Sequence, residues 1–423
     1  MSGKDILGDF FEGIIRDGFK QSKGQFFTHT NIVRFMLYAI QADKLAIKRI
    51  KDDKEIPYMI DPSAGSGTFL IEYMKFITEN MKYRNRNALG YNNELGTSRA
   101  VKDKVTSDWF FPDHRENKWA QTYIYGSEIN FNLGTATKVN MILHGDGSTN
   151  IFVKDGLLPF AKYEKETAPN ALNGSVKDTL YQEREVNGQF DLILTNPPFS
   201  VELDNDTKKT IKHDFMLGEK KNSENLFIER WYQLLRENGR VAAVLPESVF
   251  DTTENKYIRL FLYKYFKIKA VVSLPQLAFE PYTSTKTSIL FAQKKTKEEI
   301  AAWNEAWDTA SKDYSQLKTR VDNLISVYNG KKLKAKLPSI KNLTADEEVA
   351  LLQKMLKNYI TDEDKTLDTN GLIIKYREEL ESLCSPDKDT KETFGFVNTW
   401  WVFGEVSKAL NYDVFMAETD SIG

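Results

Sequence analysis

The stretch YMIDPSAGSGTFLIEYMKFITENM, residues 58–81, joins a short apolar run, a glycine-rich turn and a longer segment with apolar residues at helical spacing. The apolar run ends at Asp61, and Gly65 and Gly67 then permit a tight turn and the close approach of a ligand to the backbone. In an open α/β sheet, ligands bind at the carboxyl ends of the strands, where such turns lie. The stretch therefore predicts a strand–turn–helix unit with a candidate ligand site at its turn.

The same plan recurs along the chain as far as residue 294. One repeat, TYIYGSEINFNLGTATKVNMILHG (122–145), predicts a strand at 122–126 and a helix that ends near Leu143. Similar runs follow in NGQFDLILTNPPF (187–199), SENLFIERWYQLLRENGRVAAVLPESVF (223–250, with a Glu-Asn-Gly-Arg turn before a strand at 240–245), IRLFLYKYFKIKAVVSLP (258–275) and STKTSILFAQK (284–294). Helices that alternate with short apolar strands predict an α/β fold, doubly wound around a mostly parallel, Rossmann-like sheet.

The pattern divides the chain into four parts. Residues 1–50 read as an N-terminal helical segment, and residues 51–294 carry the alternating pattern of the sheet. Residues 295–410 form the third part, of which residues 295–383 are polar and rich in Lys and Glu, with apolar residues at helical intervals. They predict a mainly helical insertion outside the sheet, for which solvated helices with only a packing role are the plainest interpretation. Residues 411–423 contain YDVFMAE, which predicts a strand that returns toward the sheet.

Composition limits the setting and the partners. The 423 residues include 58 Lys and Arg against 60 Asp and Glu, a net charge of −2, so binding to nucleic acid would need a local basic groove or a partner. The single cysteine, Cys384, excludes an internal disulfide and is typical of a reducing compartment. Neither a signal peptide nor an apolar run of roughly 18 residues is present. We therefore expect a cytoplasmic protein with no membrane association.

Acidic residues follow three of the apolar runs. Asp61 would repel a phosphate but could neutralise a cationic ammonium group, and Leu70 at the third position of the glycine fingerprint argues against a bound pyrophosphate. Glu128, in GSEI (126–129), could accept hydrogen bonds from both hydroxyls of a ribose. Asp155 follows a further apolar run. For each position, an ordinary turn or surface carboxylate remains the alternative.

The stretch DLILTNPPFS, residues 191–200, predicts a buried strand that ends at two prolines. An amine on an aromatic ring is a poor nucleophile because its lone pair is delocalised into the ring. The side-chain oxygen of Asn196 and the carbonyl of Pro197 could accept its two hydrogens and free that lone pair. Pro197 and Pro198 would order the loop in advance. Phe199 could stack on a base that has left the duplex.

The motifs DPSAGSGTFL, GSEI, KDGL and NPPF, in this order and preceded by GQFFT (24–28), together resemble the S-adenosylmethionine-dependent amino-methyltransferases of DNA. The chain is most similar to the modification (M) subunit of type I restriction–modification systems. LPQLAFEPYTSTKTSILFAQK (274–294) looks like a late segment of that subunit, and NYDVFMAETDSIG (411–423) like the stretch after it. The resemblance covers roughly residues 5–294 and 411–423.

The resemblance implies a Rossmann-like methyltransferase sheet and methyl transfer from S-adenosylmethionine to N6 of adenine. Double-stranded DNA, a specificity subunit and a restriction subunit are the implied partners, and no metal site is implied. Asp61, Gly65 and Gly67 would hold the methionine part of the cofactor, Glu128 its ribose and Asp155 its adenine. The implied cofactor-binding set is Gln25, Phe26, Thr28, Asp61, Pro62, Ser63, Gly65, Gly67, Thr68, Phe69, Glu128, Asp155 and Asn196. The implied catalytic set is Asn196, Pro197, Pro198 and Phe199, with Phe199 and Phe279 as contacts to the base.

The sequence departs from the family in three ways and leaves alternatives open. His29 stands where the family usually has proline, residues 295–410 resemble no segment of the family, and we expect that the family's long N-terminal helical domain is reduced to one helix. Cytosine-N4 methylation poses the same chemical problem, and a non-catalytic DNA-binding scaffold would keep the same fold. Cytosine-C5 chemistry is disfavoured because Cys384 lies outside the sheet region. Protein-glutamine methylation and NAD-dependent oxidation fit the motifs less well.

Overall fold

The computed structural model describes residues 28–84, 109–110, 117–145, 150–158, 187–218, 222–280, 283–329, 343–386 and 397–422. The chain divides into two compact units, Met1–Thr296 with Asp413–Gly423, and Lys297–Tyr412. The helix expected in residues 5–20 lies outside the described residues. In the described part of the chain, no helix has both the length and the apolar composition needed to cross a membrane.

Within the described residues, eight strands of the first unit form one sheet. They are β1 (Met59–Asp61), β2 (Ile124–Ser127), β3 (Ile151–Phe152), β4 (Phe190–Thr195), β5 (Leu235–Pro246), β6 (Phe266–Ser273), β7 (Thr287–Lys294) and β8 (Phe415–Glu418). Their order across the sheet is β3-β2-β1-β4-β5-β7-β6-β8. Only β7 runs antiparallel to its neighbours among these strands, and β8 pairs parallel with β6. The predicted α/β, mostly parallel sheet is confirmed.

Helices cover the sheet on both faces. In the first unit they are α1 (Thr30–Ala39), α2 (Ala42–Asp53), α3 (Thr68–Thr78), α4 (Ala120–Tyr123), α5 (Phe131–Leu143), α6 (Asn205–Asp214), α7 (Ser223–Leu234), α8 (Ser248–Asp251) and α9 (Lys256–Tyr265); a π-helical turn, Glu79–Arg84, extends α3. Apolar residues of α1, α2 and α3 share one core with Leu192 and Leu194 of β4. The buried Ile193 between them points to the other face, because side chains alternate along a strand. The predicted double winding is therefore confirmed.

Two strand predictions need correction. The strand expected at 122–126 begins two residues later, because the short helix α4 occupies Ala120–Tyr123. The turn and strand expected around 237–245 belong to one strand, β5. Its pairing with β4 shifts from Leu235 to Arg240, and Asn238 adopts a φ of 62°. The residues between therefore bulge from the ladder, which keeps the local turn without ending the strand.

His29 forms the N-cap of α1. Its φ of −62° is a value that proline would also adopt, and its side chain accepts a hydrogen bond from the Asn31 N–H at 3.2 Å. The exchange of proline for histidine is therefore compatible with the backbone of this loop. The His29 side chain adds an acceptor for an N–H group at the start of α1, which proline could not provide.

The described secondary-structure elements of the second unit are all helices. Its helices are α10 (Lys297–Tyr328), α11 (Ala345–Met355), α12 (Thr369–Lys375), α13 (Arg377–Leu383) and α14 (Thr399–Ala409), with a 3₁₀ turn at Glu363–Thr366. Buried aromatic residues hold α10 and α14 together, and Tyr314 packs on Trp401 with ring centroids 5.6 Å apart. The Lys357 ammonium lies 3.8 Å from the centre of the Trp401 ring and pairs with Glu405.

Candidate active site

The glycine-rich turn connects β1 to α3. Gly65 and Gly67 adopt φ values of 56° and 86°, which favour glycine, and a Cβ on Gly67 would lie 2.7 Å from Thr137 Cγ2. Leu70 is fully buried in the first turn of α3 and belongs to the core. A leucine here thus serves packing, in agreement with the argument against a pyrophosphate site.

Asp61 ends β1 and is fully buried. Its Oδ1 accepts hydrogen bonds from Thr195 Oγ1 at 2.7 Å and from the Ser63 N–H at 3.0 Å. Its Oδ2 is buried and has no hydrogen-bond partner among the described residues. Burial raises the pKa of Asp61 to about 7, although the bonds from Thr195 and Ser63 oppose that shift. An ammonium or N–H donor beside Oδ2 would relieve this burial cost.

Glu128 follows β2 and is 3% exposed. Its Oε2 accepts a hydrogen bond from the Gly65 N–H at 3.0 Å, and its Oε1 accepts one from the Asn130 N–H at 2.8 Å. The carboxylate therefore joins the turn after β1 to the turn after β2. A carboxylate oxygen can accept more than one hydrogen bond, so a carboxylate at this position suits both the loop and a ligand with two hydroxyls.

Asp155 lies in the loop after β3. Its Oδ1 accepts from the Leu157 N–H and its Oδ2 from Thr207 Oγ1, both at 2.9 Å, and burial raises the pKa of Asp155. The guanidinium of Arg230 is fully buried in α7 and donates to the Gly156 carbonyl at 3.0 Å and the Leu158 carbonyl at 3.4 Å. Arg230 thereby fixes the loop after β3 through two of its backbone carbonyls.

The NPPF loop follows β4. Ser223 Oγ donates to the Pro198 carbonyl at 3.0 Å and accepts from the Val201 N–H at 3.1 Å. Glu224 accepts from the N–H of Ser200, whose φ is 53°. The first turn of α7 therefore anchors the loop through two buried side chains.

The Asn196 side chain is held at one end. Its Nδ2 donates to Thr28 Oγ1 at 3.1 Å. Its Oδ1 is buried and accepts no hydrogen bond within the described residues. An acceptor left without a donor in a buried site is costly, so this oxygen is ready to accept an N–H of a ligand.

These segments surround a cavity of about 220 Å³. Seven of the predicted site residues line it: Pro62, Ser63, Gly65, Glu128, Asp155, Asn196 and Pro198. The predicted residues Thr28, Asp61, Gly67, Thr68, Phe69 and Pro197 are not among its lining residues. Gln25 and Phe26 lie outside the described residues.

The two predicted base contacts are packed in the core. Phe199 is 9% exposed and Phe279 is 3% exposed, and both belong to the apolar cluster beneath α1 and α3. Stacking a base on either ring requires that neighbouring side chains uncover one of its faces. The burial of Phe199 was not evident from the sequence, because an aromatic residue after a proline pair has the same local pattern whether it is exposed or covered.

The cavity also has lining residues that the sequence analysis missed: Ser127, Ile129, Gly156, Leu157, Val201, Glu202, Leu203, Asp204, Ser223 and Phe227. Four of them had a local signal, since Ser127 and Ile129 flank Glu128 in GSEI and Gly156 and Leu157 follow Asp155 in KDGL. Four of the lining residues carry carboxylates, namely Glu128, Asp155, Glu202 and Asp204, and none of the described lining residues is basic. The cavity therefore favours a ligand with positive charge.

The N-6 DNA Methylase family model matches residues 2–368. The EcoEI methylase subunit of a type I restriction enzyme from Escherichia coli is 25% identical over 320 residues, 74% of this chain and 52% of that protein. The StySPI methylase subunit from Salmonella potsdam is 22% identical over 300 residues, 69% of this chain and 45% of that protein. The chain thus spans about half the length of the curated relatives it matches.

A solved structure of the type I restriction–modification system methyltransferase subunit from Streptococcus thermophilus aligns with a TM-score of 0.40 and 21% identity, covering 70% of this chain and 50% of that one. The family model covers most of the chain, including all the motifs around the cavity. The chain belongs to the N-6 DNA Methylase family.

Proposed function

We propose that this chain transfers the methyl group of S-adenosylmethionine to N6 of adenine in DNA, as the modification subunit of a restriction–modification system. Membership of the N-6 DNA Methylase family supports this proposal. The single observation that carries it is at Asn196, a residue that lines a cavity rich in carboxylates and whose buried Oδ1 accepts no hydrogen bond among the described residues.

The residues around the cavity suit S-adenosylmethionine, a ligand with net positive charge. Glu128, which already accepts hydrogen bonds from the Gly65 and Asn130 N–H groups, would also accept hydrogen bonds from the ribose hydroxyls. Asp155 would face the adenine of the cofactor, and the unpartnered Oδ2 of Asp61 would face the methionine ammonium. Bound S-adenosylmethionine would supply a methyl group on a positively charged sulfur.

The amine of the target base would be activated by the NPPF loop. Asn196 Oδ1 and the Pro197 carbonyl would accept the two N6 hydrogens, which favours a tetrahedral nitrogen whose lone pair is no longer delocalised into the ring. Because Ser223 and Glu224 already fix the loop, the loop loses little conformational entropy when the base binds.

The target adenine must leave the duplex to reach this loop. Phe199 and Phe279 would contact the extruded base after a rearrangement that uncovers their rings. Because the chain has a net charge of −2, a specificity subunit would supply most of the affinity for double-stranded DNA and the choice of sequence. A restriction subunit would join the assembly without contributing to methyl transfer.

The test is the nucleoside composition of DNA from a host without adenine methylation that expresses the chain with a cognate specificity subunit. Mass spectrometry of digested DNA should detect N6-methyladenine with the wild type and none with Asn196→Ala. Detection of N4-methylcytosine in place of N6-methyladenine would assign the chain to the other amine. Unmodified DNA from cells that contain the folded complex would refute methyl transfer altogether.

A further inference from the structure

Thr28 and Asn196 are 168 positions apart in the sequence and are joined by one hydrogen bond of 3.1 Å, from Asn196 Nδ2 to Thr28 Oγ1. We propose that Thr28 is a positioning residue that holds the Asn196 amide in the orientation required to accept the amine of the target base. The proposal rests on the proposed function of the site. It differs from the cofactor-binding role that the resemblance implies for Thr28.

The backbone of Asn196 is fixed by other contacts. On one side Thr195 Oγ1 donates to Asp61, and Ser63 Oγ donates to the Asn196 carbonyl at 3.4 Å. On the other side Ser223 Oγ donates to the Pro198 carbonyl. The main freedom left to Asn196 is therefore rotation of its side-chain amide.

Thr28 restrains that rotation. Among the described residues, the Asn196 amide has its hydrogen bond with Thr28, and its oxygen remains without a partner. Because Nδ2 and Oδ1 point in different directions from the same planar group, an acceptor that holds Nδ2 also sets the direction of Oδ1. The bond further polarises the amide, which strengthens Oδ1 as an acceptor.

The position of Thr28 favours this role over cofactor contact. Thr28 is 3% exposed and is not among the residues that line the cavity, whereas Asn196 is. The hydroxyl thus contacts the amide without lining the cavity itself. Replacement by valine would keep the shape of the side chain but leave the Asn196 Nδ2 without its acceptor.

The experiment compares Thr28→Val with Thr28→Ser in the reconstituted complex with site-containing DNA. Thr28→Val should slow single-turnover methyl transfer at saturating S-adenosylmethionine by about 10- to 100-fold. Its dissociation constant for S-adenosylmethionine, measured by calorimetry, should stay within about twofold of the wild type. Thr28→Ser keeps the hydroxyl and should retain most of the rate. In an Asn196→Ala background, Thr28→Val should cause no further loss.

Two outcomes would overturn the proposal. They are a wild-type rate for Thr28→Val, whether or not its cofactor affinity is weakened, and a rate loss that multiplies with that of Asn196→Ala. If the wild-type complex transfers no methyl group, the proposed function fails. Thermal unfolding of the single and double variants then tests whether Thr28 and Asn196 interact. A double-variant decrease in Tm smaller than the sum of the single decreases would support the pairing, and additive decreases would overturn it.

Discussion

Gly156 provides a strong test of how the cavity is built. A Cβ at this position would lie 1.8 Å from the Pro62 carbonyl oxygen, and ordinary van der Waals contact begins at 3.4 Å. In Gly156→Ala the loop after β3 and the loop after β1 must therefore separate by roughly 1.6 Å. Pro62 and Gly156 both line the cavity, so the separation moves Asp155 relative to Ser63. Since a misplacement of about 1 Å can cost 10²-fold, we expect S-adenosylmethionine affinity to fall by about that factor.

The assay is isothermal titration calorimetry of the folded chain, with chemical denaturation to measure the free energy of unfolding. Gly188→Ala is the matched control: Gly188 has a φ of 71°, and an added Cβ would lie 4.0 Å from the Leu235 carbonyl oxygen. The control should lose about 1–2 kcal/mol of stability through backbone strain and keep its cofactor affinity. Wild-type affinity in a folded Gly156→Ala chain would refute the assignment of these two loops to the cofactor.

Three further predictions concern titration and the NPPF loop. Because burial raises the pKa of Asp61 to about 7, and an ammonium favours the ionised carboxylate, S-adenosylmethionine affinity should increase as pH rises through about 7 and decrease below it. Calorimetry across pH 6–8 should show no such dependence in Asp61→Asn. The dependence should persist in the control Glu229→Gln, which removes another carboxyl whose pKa is raised to about 7. Ser223→Ala should lower the free energy of unfolding by about 1–3 kcal/mol and slow methyl transfer, because the Pro198 carbonyl loses its donor; a wild-type rate would contradict its anchoring role. Phe199→Ala should reduce 2-aminopurine fluorescence from the flipped target site and destabilise the core by about 3–5 kcal/mol, whereas Phe199→Tyr should retain flipping; normal flipping by the alanine variant would exclude the stacking role.

The sequence predicted those parts of the fold that depend on local pattern. Apolar runs bounded by Gly or Pro located β1 and β4, and helical periodicity located α5 up to Leu143. The positions of neighbouring strands were harder, because pairing joins residues far apart in sequence. The antiparallel insertion of β7 between β5 and β6 has no signature in its own residues. The continuity of β5 across Asn238 likewise depends on its pairing with β4.

The candidate site likewise contains residues that a local sequence pattern identifies and residues that only tertiary contacts identify. Asp61, Glu128, Asp155 and Asn196 each follow an apolar run, so the sequence could identify them one by one. Arg230 could not be identified, because its contact with the Gly156 carbonyl exists only after α7 packs beside the loop. The bond between Thr28 and Asn196 also depends on tertiary structure. The sequence therefore predicts the residues that could bind a ligand better than those that hold them in place.

The central claim is that Asn196 activates an adenine amine for methyl transfer from S-adenosylmethionine. The most direct test incubates the reconstituted complex and site-containing DNA with S-adenosylmethionine that carries a trideuterated methyl group, followed by mass spectrometry of the nucleosides. We predict trideuterated N6-methyladenine with the wild type, and a loss of nearly all of it with Asn196→Ala at unchanged cofactor affinity. Transfer at the wild-type rate by Asn196→Ala, or a label found on any atom other than adenine N6, would contradict the claim.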